Sequence, residues 1–157
     1  MELALILPVL TLMVIASAET GRIAYAAIEV SNAARAGVAY GAQTNLTAKD
    51  SAGIQLAAED EAPNVTSLTA TPSQACVCET VTTDTGAITR TAIHVCSGST
   101  STLATDCPMS TSSGTASYVV NYVSVNTSAT VHTMFHYPGI PSSFSLKGYA
   151  EMRQEQD

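Results

Sequence analysis

Residues 1–43 read MELALILPVLTLMVIASAETGRIAYAAIEVSNAARAGVAYGAQ, and the pattern within them decides the fold. Leu3 to Ala18 form an apolar run interrupted only by Pro8, Thr11 and Ser17. Beyond it, Ile23, Ala27, Val30, Ala34, Val38 and Gly41 continue at i, i+4, i+7 spacing, the signature of one apolar helix face. The stretch is therefore predicted as one helix from Glu2 to Gln43, about 60 Å long at roughly 1.5 Å per residue. Its first half is apolar all round and needs lipid or other helices on every side. Ala16, Ala18, Gly21, Ala24, Ala26 and Ala27 are small enough to let such helices approach closely. Pro8 removes a backbone donor and crowds the carbonyl four residues back, so a kink or a local opening is expected there.

A bilayer span needs about 20 apolar residues, and this run is slightly shorter. Three readings are open: a cleaved secretory signal, a permanent anchor, or a helix that visits the membrane and later packs against copies of itself. Ala16-Ser17-Ala18 has the look of a signal cleavage site. Against the first reading, the segment before the apolar run carries Glu2 and no Lys or Arg, and the helical pattern runs on past Ala18.

The rest of the 157 residues leaves room for one small domain, so the chain divides into a helix over 1–45 and a domain over 46–157. Charged residues make up 12%, about half the usual share of a soluble protein. The net charge of −7, with no Lys/Arg run to reverse it locally, disfavours nucleic acid as a partner. Asn45 to Asp50 reads as a break, and Asp50 caps a short helix over Ser51–Glu61 that Pro63 ends. Strands are predicted over Val65–Thr71, Gln74–Thr83 and Ala87–Val95, the last two as a hairpin around Asp84-Thr85-Gly86. Ser97–Ser113 is a Ser/Thr/Gly loop. Tyr118 to His136 makes one long strand or two meeting at Asn126-Thr127. Tyr137 to Pro141 is a rigid turn, and Phe144–Arg153 is the last strand, before a polar tail over 154–157. The expected fold class is α+β: a long N-terminal helix packed through its lower half on an antiparallel sheet of about four or five strands.

Cys76, Cys78, Cys96 and Cys107 cluster in the middle of the chain. Zinc knuckles usually space their cysteines by two residues, and Cys76-Val77-Cys78 has one. Two disulfides in an oxidising compartment are the better reading, with three pairings open in principle. His94, His132 and His136 have no acidic or Cys neighbour in sequence, so no metal site is expected. No phosphate-cradling glycine motif and no spaced Ser/His/Asp set stands out, so neither an enzyme nor a cofactor is expected.

The stretches Glu2 to Leu10, Glu19-Thr20-Gly21-Arg22 and Val30 to Gly37, with Phe135 to Pro141 and Ala150 to Arg153 near the other end, resemble the TadE-like pseudopilins. The resemblance implies a type IV pilin-like fold and a precursor processed by a prepilin peptidase. It implies an inner-membrane pool from which pilus assembly machinery builds a homo-oligomeric, Tad-type filament at the cell surface. Alternatives of the same or a different class are a minor pseudopilin that primes or tips a filament, and a monomeric membrane-anchored binding domain. In that class a glutamate at the fifth mature residue pairs with a neighbour's terminal amine. Glu2 is the matching residue, and its place as second residue departs from the pattern. A carboxylate beside so apolar a run should seek a cationic partner in any case. The residues expected to carry assembly are Glu2, Leu3, Leu5, Ile6, Leu7, Pro8, Leu10, Leu12, Val14, Glu19 and Arg22, the last two as a local i, i+3 pair. The expected disulfides are Cys78 with Cys96 across the hairpin, and Cys76 with Cys107 tying down the long loop.

Overall fold

The structure is a computed structural model that describes residues 2–82, 85–92, 107, 115–135 and 141–154. Helix α1 spans Glu2–Gly41 and remains α-helical on both sides of Pro8. The expected opening at Pro8 is thus not a break. One turn later the Thr11 hydroxyl donates to the carbonyls of Leu7 and Pro8, at 3.1 and 2.8 Å.

The predicted break after α1 is instead a single helical turn, α2 (Asn45–Lys49), nucleated by a threonine pair. Thr44 Oγ1 accepts from Thr47 N at 3.2 Å, and Thr47 Oγ1 accepts from Thr44 N at 2.9 Å. This is a capping box with Thr in place of the usual Glu or Gln, which is why the signal is weak in sequence. Helix α3 (Ser51–Asp60) starts as predicted, with Asp50 Oδ1 accepting from Gly53 N at 3.0 Å.

Among the described residues four antiparallel strands follow, β1 (Thr69–Thr82), β2 (Ile88–Ala92), β3 (Thr115–His132) and β4 (Ser143–Arg153), in the order β2-β1-β3-β4. The two strands expected over Val65–Thr71 and Gln74–Thr83 are one. Pro72 does not interrupt it: the ladder to β3 runs straight through this position, with Pro72 opposite Val125. The segment after β1 turns at Gly86, whose φ of 64° suits glycine. β3 is continuous through Asn126-Thr127, which settles the one-or-two question in favour of one. The predicted turn at Tyr137–Pro141 falls mostly on 136–140, outside the described residues.

The α+β expectation is met, and the lower half of α1 is the sheet's partner. Ala26, Val30, Ala33, Val38, Ile54, Ala58, Val123, Val125 and Ala129 form the core between α1, α3 and the inner face of β3. The buried face of α1 includes Ala26 where Ala27 was expected; Ala27 and Ile23 are only half-buried. Helix and sheet approach closely at Gly148 of β4. A Cβ there would lie 2.6 Å from the Val30 carbonyl oxygen and 2.5 Å from Thr127 Oγ1. That hydroxyl in turn donates to Val30 O at 2.7 Å, so a strand side chain is bonded to the helix backbone itself.

Candidate functional site

Among the described residues, most of the half of α1 that precedes the core is open. From Ile6 to Ala18 every residue is exposed except Ile15, which is half-buried. Ile6, Leu7, Val9, Leu10, Leu12, Met13 and Val14 keep 52–67% of their surface open. Ile6–Gly41 is long and apolar enough to cross a membrane by length and composition, and its most apolar window, of mean hydropathy 1.5, is unburied. Of the residues expected to carry assembly, Ile6, Leu7, Pro8, Leu10, Leu12 and Val14 all present open surface. Glu2, Leu3 and Leu5 lie in α1, with side chains outside the described residues.

Glu19 and Arg22 do form the expected local pair, with Arg22 Nη2 3.6 Å from Glu19 Oε1. Their larger role was not visible in sequence. Glu19 Oε1 accepts from Met134 N at 2.7 Å, and Arg22 donates to the His132 carbonyl. The pair thus clips the end of β3 to the helix at the point where the apolar run stops. Below this clip lies an apolar groove of about 340 Å³, walled by Leu12, Ile15, Ala16 and Ile23 on the helix and by Phe135 and Phe144 from the strand ends. The signal for it was Phe135 at a strand end, where turns are ordinarily polar.

Past the top of α1, Cys76, Cys78 and Cys107 form a small second core with Val119. Cys78 is bonded to Cys107, with a Cα–Cα distance of 5.4 Å. The expected pairing of Cys78 with Cys96, and with it Cys76 with Cys107, is therefore corrected. The hairpin register gives the reason: Thr91 stands opposite Cys78. Cys76 is also in a disulfide, while Cys96 lies outside the described residues. By strand alternation Glu79 is on the opposite face, where it is 2% exposed. Its Oε1 accepts from Tyr122 Oη at 2.5 Å and from Arg90 Nε at 3.0 Å, and Arg153 Nη1 is 3.9 Å from Oε2. The Tyr122 hydroxyl, joined by Tyr118, Arg90 and Arg153, holds this carboxyl below the ordinary carboxylate range, against the opposing effect of burial. Burial, then Glu79, push the Tyr122 hydroxyl above the ordinary phenol value. With one carboxylate shared by two guanidinium groups and a phenol from three neighbouring strands, the cluster is a sheet staple. Among the described residues no group of three or more His, Cys, Asp or Glu side chains comes together as a metal site would require.

The apolar half of α1 lies within the part of the chain that comparison picks out. Residues 1–39 match the family model of TadE-like protein. The TadE-like segment thus contains the whole exposed apolar run, the Glu19–Arg22 clip and the first turns of the core-facing helix. It ends within the helix, two residues short of Gly41, and leaves the sheet unmatched. Comparison with curated proteins and with solved structures returned no match.

Proposed function

We propose that this chain is a structural subunit of a type IV pilus-like, Tad-type filament at the cell surface, polymerising through the first half of α1. The observation that carries the reading is an apolar helix segment whose large side chains from Ile6 to Val14 keep most of their surface open, joined to a domain whose core begins only at Ala26. In water such a surface requires cover. Lipid supplies it before assembly and sister helices supply it afterwards, where Ala16, Ala18 and Gly21 permit close approach. The TadE-like match over residues 1–39 supports a place in a Tad pilus system. Processing by a prepilin peptidase and extraction from the inner membrane by the assembly machinery belong to the same proposal. The chain has no catalytic role in it.

Surface material sheared from the native host, viewed by electron microscopy and analysed by mass spectrometry, tests this. Filaments in which this chain is the dominant protein are the expected result, and Val14→Glu should abolish incorporation while the chain is still made. A trace presence would instead assign it to the filament tip or base. A mature full-length chain that stays a lone detergent-soluble monomer in its host would refute the proposal.

A further inference from the structure

We infer that Met134, Phe135 and Phe144, at the sheet end clipped to α1, form a second membrane contact: the domain does not stand clear of the bilayer but dips this edge into the outer boundary of the acyl chains. The inference rests on the membrane-inserted stage of the reading above. It does not require that the chain polymerise.

The argument is one of length and level. A hydrocarbon core is about 30 Å thick and takes about 20 helical residues to cross. The apolar run from Leu3 to Ala18 falls slightly short of that, so none of it can be spared for solvent. Yet Leu12, Ile15 and Ala16 already face Phe135 and Phe144 across the groove. If the domain stood wholly in water, only Leu3 to Thr11 would be left to span, roughly 14 Å at about 1.5 Å per residue. The first charges after the run are Glu19 and Arg22, and they mark where the polar boundary can lie. Leu12 to Ala16 sit roughly 5–10 Å deeper than Glu19 along the helix, the depth at which interfacial apolar faces bury themselves.

The chemistry of the edge fits that level. Met134 is 68% and Phe135 47% exposed, at a strand end, in a chain whose other loops are rich in Ser and Thr. Two backbone groups that would be costly to submerge are satisfied: Met134 N–H by Glu19 and the His132 carbonyl by Arg22. Thr133 N donates to Ser142 O at 3.0 Å, joining the ends of β3 and β4. An edge with these polar groups tied off, with Phe135 and Phe144 beside the helix's exposed apolar surface and Met134 open, is suited to an acyl boundary.

The chain contains no Trp, so one introduced indole reports alone. Full-length chains carrying Phe135→Trp, Met134→Trp, Leu10→Trp or Ile88→Trp would be reconstituted into phosphatidylcholine vesicles with and without acyl-brominated lipid. Far-ultraviolet circular dichroism would establish that each is folded. Ile88 is exposed at the opposite end of the sheet, roughly 50 Å away at about 3.3 Å per strand residue, and serves as the dry control. We expect Leu10→Trp and both sheet-end indoles to lose about half or more of their emission to brominated lipid, and Ile88→Trp to lose little. If Leu10→Trp is quenched while both sheet-end indoles behave like Ile88→Trp, the second contact is refuted and membrane insertion of the helix stands. Should Leu10→Trp also escape quenching, both ideas fall. Sheet-end emission that ignores lipid but shifts with the protein-to-lipid ratio would mean that a second copy covers the edge, again overturning the inference.

Discussion

At Glu79 a single carboxylate collects a phenol hydroxyl and two guanidinium groups from three different strands, so its charge ties β1 to β2, β3 and β4 at once. Folding holds its pKa below the ordinary value of 4.5. The ionised form therefore stabilises the fold above that pH, and the contribution disappears as pH falls through the folded value. Glu79→Gln should lower stability by about 2 kcal/mol at neutral pH, since a neutral amide cannot serve three donors alike. The gap between native and variant urea midpoints should close as pH falls through the lowered folded-state value, below which both side chains are neutral. A gap independent of pH would mean that packing, not charge, is what Glu79 supplies. Two glycines make a complementary pair at the same scale. Gly148→Ala forces a methyl against Thr127 and the Val30 carbonyl and should cost about 1–3 kcal/mol by overpacking. Gly21→Ala meets nothing within 4 Å, inside a helix, and should stabilise by up to about 1 kcal/mol. Opposite signs in thermal or chemical denaturation of the detergent-solubilised chain are the expected outcome.

Among the elements, the hairpin of β1 and β2 shows why cysteine partners are hard to choose from sequence. A cross-strand disulfide needs two cysteines at facing positions, and register fixes which positions face. Here the pairing sum places Thr91 opposite Cys78, leaving the sulfur to reach Cys107 at a separation of 29 residues. A chain with Cys76→Ala and Cys96→Ala should therefore oxidise to a form with no alkylatable thiol. Cys76→Ala with Cys107→Ala should retain two, as intact mass after alkylation would reveal. The loop closed by Cys78–Cys107 is worth about 3–4 kcal/mol by chain entropy, lost on reduction. Much else at this scale was legible: the length of α1, the Asp50 cap of α3 and the hairpin around Gly86 follow from period, capping and turn chemistry. What was not legible depended on partners distant in sequence. Pro72 misled because proline reads as a strand breaker, whereas the ladder to β3 continues through it. Thr44-Asn45-Leu46-Thr47 concealed a cap because Thr is a weaker marker than Glu at its last position. The candidate site was read only on its helix side, since nothing near Glu19 or Arg22 in sequence announces that Met134 and His132 lie beside them.

Taken whole, the molecule divides its apolar surface between two separate burials. One is complete within the monomer, where the core starts at Ala26 and runs through α3 and the sheet. The other is left open along Ile6 to Val14, where each large side chain still exposes about half or more of its surface. Covering the exposed half of Ile6, Leu7, Val9, Leu10, Leu12, Met13 and Val14 at about 1.5–3 kcal/mol per fully buried side chain gives roughly 5–10 kcal/mol. That is comparable to the entire stability of a small domain, about 5–15 kcal/mol. Folding and lateral cover are thus separable in space while similar in size, and removing one should spare the other. A chain starting at Ala18, which keeps Glu19, Arg22 and every core residue, should be a water-soluble monomer with the sheet intact. Its stability should lie within about 1 kcal/mol of that of the detergent-solubilised full chain, because the deleted Leu12, Ile15 and Ala16 meet the domain at the groove and not in its core. Size-exclusion chromatography and denaturation of the two forms would check both halves of this expectation. An aggregated or unfolded truncation would show that the apolar run holds the domain together, and that its cover by lipid or sister helices is not its main use.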